Sequence, residues 1–243
     1  MPNRTRPLLA VLIDADNIPA KHASAILKEI TVLGEPALRR VYGDWASPAL
    51  QSWLDPVRTL GLVAHQESAN TKGKNASDIG LVIDAMDILH SGRFDGFVLV
   101  SSDSDFTALA SRIREQGLSV FGIGEQKTPE SLRNVCNRFI LIENIVEPEQ
   151  KPTTGAATTS SKRPTNEAAP LIRAAMDKLD QDGEWFALGA IGHKIAEAHS
   201  DFDTRTYGQP KLSDLVKNLS QFKTRKTSGN GNHIEVALAT KKS

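Results

Sequence analysis

Aspartates gather at three places in this chain, each where a strand would end or a helix begin. The first patch is Leu12-Ile13-Asp14-Ala15-Asp16-Asn17, directly after a run of apolar residues. The second is Asn75-Ala76-Ser77-Asp78, at the head of a helical pattern. The third is Ser101-Ser102-Asp103-Ser104-Asp105-Phe106, directly after Phe97–Val100. Three or four carboxylates packed together repel one another and would partly protonate unless a cation shared the site. An all-oxygen donor set of this kind suits Mg²⁺ or Mn²⁺ rather than zinc. A cation so held binds phosphate oxygens and lowers the pKa of a bound water for attack on phosphorus. The plainer reading is that an Asp after a strand caps the next helix, as Asp16 and Asp105 each could. That reading serves for one aspartate better than for three patches at once.

The elements that would carry these patches alternate between strand and helix. Leu8–Ile13 is continuously apolar, as in a strand buried on both faces. Residues 19–33 place Ala23, Ile26, Leu27 and Ile30 at helical spacing. Strands are predicted at Leu38–Tyr42, Leu62–His65, Phe97–Val100, Ser119–Gly122 and Phe139–Ile142. Helices are predicted from Pro48 to about Leu60, from Ser77 to about Ser91, over Phe106–Gln116 and over 129–136. In the second of these, Ile79, Val82, Ile83 and Met86 form the apolar face, and Asp84 and Asp87 the solvated one. The order predicts an α/β domain, a mainly parallel sheet with helices on both faces. Sites in such sheets form outside the carboxyl ends of the strands, where Asp14 and Asp103 fall. If those two strands are neighbours, the carboxylates converge.

Residues 148–167 contain no large apolar side chain and read as a flexible linker. Domain boundaries are therefore expected at 1–147 and 168–243. In the second domain, helices over 168–182, 187–199 and Lys211–Leu219 precede a hairpin over 221–238 with its tip at Ser228-Gly229-Asn230-Gly231-Asn232. Three helices and a hairpin are the parts of a winged helix. Trp185, Phe186 and Tyr207 are read as core residues, and Trp45 and Trp53 as packing.

Charge does not announce a partner. The chain has no formal net charge. Residues 1–147 hold 15 Lys and Arg against 18 Asp and Glu, a balance of −3, and residues 168–243 hold 11 against 9, a balance of +2. Local placement says more. Lys72 and Lys74 precede Asp78 and would hold a nucleic-acid backbone, although an exposed turn has the same composition. Ser101 and Ser102 would donate to phosphate or orient Asp103. Lys217, Lys223, Arg225 and Lys226 gather on the last helix and the hairpin, with Phe222 among them, either along a phosphate backbone or as a solvated face. A Walker loop, a Gly-x-Ser-x-Gly elbow and zinc-type His/Cys spacing are all missing, which argues against an NTPase, a serine hydrolase and a zinc protein. One cysteine, Cys136, allows no intrachain disulfide and fits a cytoplasmic location. No apolar run is long enough to span a membrane.

These patches resemble the NYN domain family, a branch of the PIN-like nucleases. The features are a strand entering Asp14-Ala15-Asp16-Asn17, a Lys-rich loop Lys72-Gly73-Lys74 leading to Asp78, and Ser102-Asp103-Ser104-Asp105-Phe106 after a strand. The resemblance covers roughly residues 7–145 and implies a Rossmann-like fold. It implies metal-dependent hydrolysis of RNA, with Asp14, Asp78, Asp103 and Asp105 as Mg or Mn ligands and Asn17 positioning a ligand or water. The second domain resembles the OST-HTH (LOTUS) domain through Gly183-Glu184-Trp185-Phe186, Phe202 to Gly208, and Lys211-Leu212-Ser213-Asp214-Leu215. That resemblance implies RNA binding or docking of a partner protein. A homodimer through the first domain is left open.

Two other functions fit the residues less well. One is a regulatory RNA-binding protein whose aspartates are present without turnover. The other is a haloacid dehalogenase-type phosphatase, since Asp14-x-Asp16 follows the first strand; its motif is broken by Ile18 and its later acidic pair is spaced differently.

Overall fold

The computed structural model describes residues 5–66, 76–146, 162–179, 184–227 and 233–239. Its contacts divide the chain into two units, residues 1–147 and 148–243.

The first unit is built on a six-stranded sheet. The strands are β1 (Leu8–Asp14), β2 (Glu35–Gly43), β3 (Val63–Gln66), β4 (Gly96–Val100), β5 (Ser119–Gly124) and β6 (Arg138–Leu141). They lie in the order β3-β2-β1-β4-β5-β6, and every adjacent pair is parallel. The order reverses direction between β1 and β4, so that crevice is the switch point where ligands bind in open α/β sheets. Helices α1 (Ala23–Leu33), α2 (Leu54–Thr59), α3 (Ala76–His90), α4 (Thr107–Glu115) and α5 (Glu130–Val135) make the connections.

Strand β1 shows why the apolar run is unbroken. Leu9, Val11 and Ile13 pack on one side with Ile26 and Ile30 of α1. Ala10 and Leu12 pack on the other side with Leu81 and Ala85 of α3. Each of these β1 side chains is fully buried, and each large one contributes about 1.5–3 kcal/mol relative to exposure. Gly122 and Gly124 on β5 reflect close packing: a Cβ at Gly122 would lie 2.4 Å from the Phe139 ring, and one at Gly124 2.6 Å from the Ser101 carbonyl oxygen.

Helix α3 differs from its predicted orientation. The buried residues are Leu81, Ala85, Ile88 and Leu89, with Val82 and Met86 packed at their margin. Ile79 and Ile83, expected on the apolar face, are 63% and 59% exposed. The helix is apolar around much of its circumference, so spacing alone does not select the buried side. Asp84, expected in solvent, accepts hydrogen bonds from Arg40 Nη1 and the Tyr42 hydroxyl of β2.

The second unit holds α6 (Ala169–Asp177), α7 (Leu188–Ala198) and α8 (Leu212–Lys217). Strands β7 (Phe186–Ala187), β8 (Phe222–Thr227) and β9 (His233–Leu238) form an antiparallel sheet in the order β7-β9-β8. The two-residue β7 is too short to carry a periodicity. The core joins Ile172, Met176, Ile191, Ile195, Leu215 and Val236. This unit begins before residue 168: the Arg163 N–H donates to the Thr206 carbonyl at 2.8 Å, and Thr165–Ala168 forms a 3-10 turn after Pro164. Residues 162–167 read as linker by composition because they lack large apolar side chains, yet backbone bonds fix them here, which side-chain composition does not report. The hairpin tip lies outside the described residues. Among the described residues, no helix is long and apolar enough to cross a membrane.

Candidate active site

The register of the sheet brings the first and third patches together. Ile13 pairs with Val100, so β1 and β4 release Asp14 and Ser101 side by side. Asp14 is only 1% exposed. Its Oδ2 accepts from Asn17 Nδ2 at 2.6 Å and from Ser101 Oγ at 2.8 Å. Its Oδ1 accepts more weakly from the Asn17 backbone N–H at 3.3 Å. Burial raises the Asp14 pKa above the ordinary carboxylate value, against the lowering effect of these bonds, and neighbouring Asp16 adds to the rise.

Ser101 ties the two strand ends to each other. While its Oγ donates to Asp14, it accepts the Asp103 backbone N–H at 3.0 Å. Asp103 accepts from the Asp105 N–H at 2.9 Å and so caps the 3-10 turn Ser104–Phe106. The local capping expected of Asp16 and Asp105 is thus done by Asp14 and Asp103. Asp14 is the last residue of β1 and Asp103 lies three residues beyond β4, and each directly precedes a turn whose N–H groups its carboxylate reaches. Asp16 and Asp105 are exposed at the rim.

Asp78 joins from the first turn of α3. Its pKa is pushed up to about 6, first by burial and then by repulsion from Asp14, Asp103, Asp105 and Asp16, in that order. The second patch therefore lies in the field of the other two. Among the described residues, no three acidic, His or Cys side chains meet closely enough to enclose a metal ion as they stand.

Other predicted residues fall elsewhere. Lys72, Lys74 and the side chain of Ser77 lie outside the described residues. Ser102 is buried, and its Oγ accepts the Glu125 N–H at 2.9 Å, which fixes the loop after β5 rather than Asp103. In the second unit, Lys217 stands 4.0 Å from Asp214. Arg225 pairs with Glu235 at 2.6 Å and stacks over Trp185, 4.3 Å from the ring centre. Lys223 and Lys226 are exposed on β8. Phe222 and Tyr207 are core residues, whereas Trp185 is half-buried outside that core.

The expected role of Ser101, orienting Asp103, is met by its bond to the Asp103 N–H, whereas the sequence does not separate it from Ser102. Sequence reasoning missed two contributors. Tyr42 and Trp53 carry no motif: the Tyr42 carbonyl accepts the Ala15 N–H at 2.9 Å, and Trp53 Nε1 donates to the Ile18 carbonyl at 3.1 Å. Both bonds hold the loop that bears Asp14.

The model of the NYN domain matches residues 8–143. The chain belongs to the NYN domain family. A second match, to the OST-HTH/LOTUS domain, covers residues 160–234. The NYN unit has a nuclease-like fold, and the OST-HTH unit is of a kind associated with RNA binding. No curated protein matches the chain. Among solved structures, the NYN chain is similar to a protein of unknown function from Vibrio parahaemolyticus, with 21% identity and a TM-score of 0.49. That match covers 58% of this chain and 96% of the other. It is also similar to an uncharacterized protein from Nitrosomonas europaea, with 26% identity, a TM-score of 0.29, and coverage of 40% and 92%.

Proposed function

We propose that the protein is a metal-dependent ribonuclease that hydrolyses RNA phosphodiesters at the Asp14–Asp78–Asp103 cluster. The observation that carries this is the meeting of the β1 and β4 ends, where Asp14 and Asp103 are coupled through Ser101 and both repel Asp78. Such repulsion is a standing cost that a cation removes. The donors are all oxygen, which fits Mg²⁺ or Mn²⁺. As they stand the carboxylates do not enclose an ion, so waters would complete its shell. Asp14, Asp78 and Asp103 would hold the ion, with Asp105 at the rim. When bound, it would supply charge to the phosphate oxygens and an acidified water.

The chain's own residues do the rest. Asn17 Nδ2 and Ser101 Oγ both donate to Asp14 Oδ2, which fixes the carboxylate plane and opposes the rise that burial imposes on its pKa. Asp103, held at its own N–H by Ser101 and capping the next turn, is fixed in the same way. In hydrolysis a water oxygen bonds to phosphorus as one ester P–O bond breaks, and the alkoxide that leaves takes up a proton. Lys72 and Lys74 would flank the scissile phosphate, and the OST-HTH unit would retain the RNA through Lys217, Lys223, Arg225 and Lys226.

A second reading, RNA binding without turnover, is favoured only by the failure of three donors to meet as they stand. Labelled single-stranded RNA, hairpin RNA and DNA incubated with Mn²⁺ or Mg²⁺ separate the two. Cleavage of RNA that is lost with EDTA and with Asp103→Asn is the expected result. Intact RNA that the wild-type protein nonetheless binds would move the protein to the second reading.

A further inference from the structure

Asp84 and Tyr42 have no part in the cluster, yet they join the two elements that must be aligned for it. Strand β2 runs beside β1 with Asp14 opposite Tyr42. The Tyr42 backbone carbonyl accepts the Ala15 N–H at 2.9 Å and so holds the loop that carries Asp14 and Asp16. The side chain of the same residue packs in the cluster that holds Leu81 and Ala85 of α3. Its hydroxyl donates to Asp84 Oδ2, and Arg40 Nη1 donates to Asp84 Oδ1. Asp84 lies in α3, the helix whose first turn presents Asp78. Helix α3 packs on β1, on β2 and on the turn Ser104–Phe106 beside Asp103. The Tyr42 ring is fully buried and lies against His65 of β3, with centroids 5.2 Å apart. The Asp84 and Arg40 side chains keep 20% and 28% exposure, so the pair is sheltered but not sealed.

A network at this place could serve only to fasten a helix to a sheet. Two facts point further. Asp84 spends both oxygens on partners in one strand, which specifies a translation along that strand as well as contact with it. One residue, Tyr42, bonds the Asp14 loop through its backbone and the Asp78 helix through its side chain. Apolar packing does not fix this register by itself, because α3 is apolar around much of its surface and leaves Ile79 and Ile83 exposed.

We propose that Tyr42 and Asp84, with Arg40, are positioning residues that index helix α3 against the Asp14 loop and so set how Asp78 meets Asp14 and Asp103. None of the three touches the reacting atoms. Their effect passes through the placement of Asp78, and the inference rests on the nuclease reading above. Misplacing a reacting group by about 1 Å costs on the order of a hundredfold in rate.

The test uses the full chain with Tyr42→Phe and Asp84→Asn. Tyr42→Phe removes one hydroxyl and keeps both the ring and the backbone bond, so it carries the decision if Asp84→Asn does not fold. Three quantities are measured: kcat and KM on a labelled single-stranded RNA, Mn²⁺ affinity in the absence of RNA by electron paramagnetic resonance, and the melting temperature. The expected result is a kcat lowered about tenfold or more, KM within about twofold, and Mn²⁺ bound several-fold more weakly, at a temperature where both variants are folded. A lowered melting temperature with kcat and Mn²⁺ affinity unchanged would make the network a structural fastening and overturn the proposal. If the wild-type protein binds Mn²⁺ but cuts nothing, the nuclease reading fails alone, and the change in Mn²⁺ affinity decides the positioning role. If it neither cuts nor binds Mn²⁺, both fall.

Discussion

The acidic end of the first unit and the basic sheet of the second are organised in opposite ways. Around Asp14, like charges are forced together: two neighbouring strands and one helix head deliver their carboxylates to one crevice, and Asp78 is driven up to about 6. On β8, β9 and the helix before them, opposite charges are paired: Arg225 is matched to Glu235 across the strands and stacked on Trp185, and Lys217 stands near Asp214 on α8. Like-charge convergence opposes folding unless something else binds there, so it marks a place for a ligand. Paired surface charges contribute little and mark nothing by themselves. The difference teaches that the site with unresolved repulsion is the better guide to chemistry.

The largest expected effect breaks the acidic side. Asp14→Asn and Asp103→Asn should each lower RNA cleavage on the order of 10²–10³-fold with binding of RNA retained, read by single-turnover kinetics and filter binding. Next comes the hydroxyl between them. Ser101→Ala should cost roughly 10–100-fold in metal affinity or rate, because it frees both Asp14 Oδ2 and the Asp103 N–H; a rate unchanged at every Mn²⁺ concentration would remove Ser101 from the site.

Smaller effects sharpen the basic side. Lys226→Ala should weaken RNA binding and lower the salt slope by about one, measured by fluorescence anisotropy from low to high salt. Arg225→Ala should instead cost about 0.5–1 kcal/mol of stability through its lost stacking on Trp185, with less effect on the salt slope. If Arg225 proves the stronger RNA contact, the contrast between paired and exposed cations fails. The smallest effect is on stability. Asp78 has a folded pKa above its unfolded value, so it disfavours the folded state increasingly as pH rises from about 4 through about 6. Metal-free Asp78→Asn should therefore melt higher than wild type at pH 7.5 and show no advantage near pH 4. An equal shift at both pH values would assign the change to packing.

Much of this was legible in the sequence because strand ends are easy to find. The run Leu8–Ile13 announces a doubly buried strand, and Asp14 is the residue that ends it. Pairing of β1 with β4 is only a condition at the level of sequence, because an alternating order does not say which strands are neighbours; the sheet order meets it. What escaped the sequence has a common cause in distance. Asp84 looks like a solvated residue until Arg40 and Tyr42, more than forty positions away, are placed beneath it. Ile79 and Ile83 look buried because a helix apolar on several sides does not reveal which side meets the sheet. Trp185 looks like core by residue type, whereas it stands just before β7 with its ring under Arg225.

The central claim is that the three aspartate patches form one site. Single-turnover RNA cleavage by Asp14→Asn, Asp103→Asn and the double variant tests it most directly. Residues that act as a unit are not additive, so the account predicts that the double variant cuts no more slowly than the worse single one. Losses that multiply in the double variant, or a single variant that keeps the wild-type rate, would contradict it.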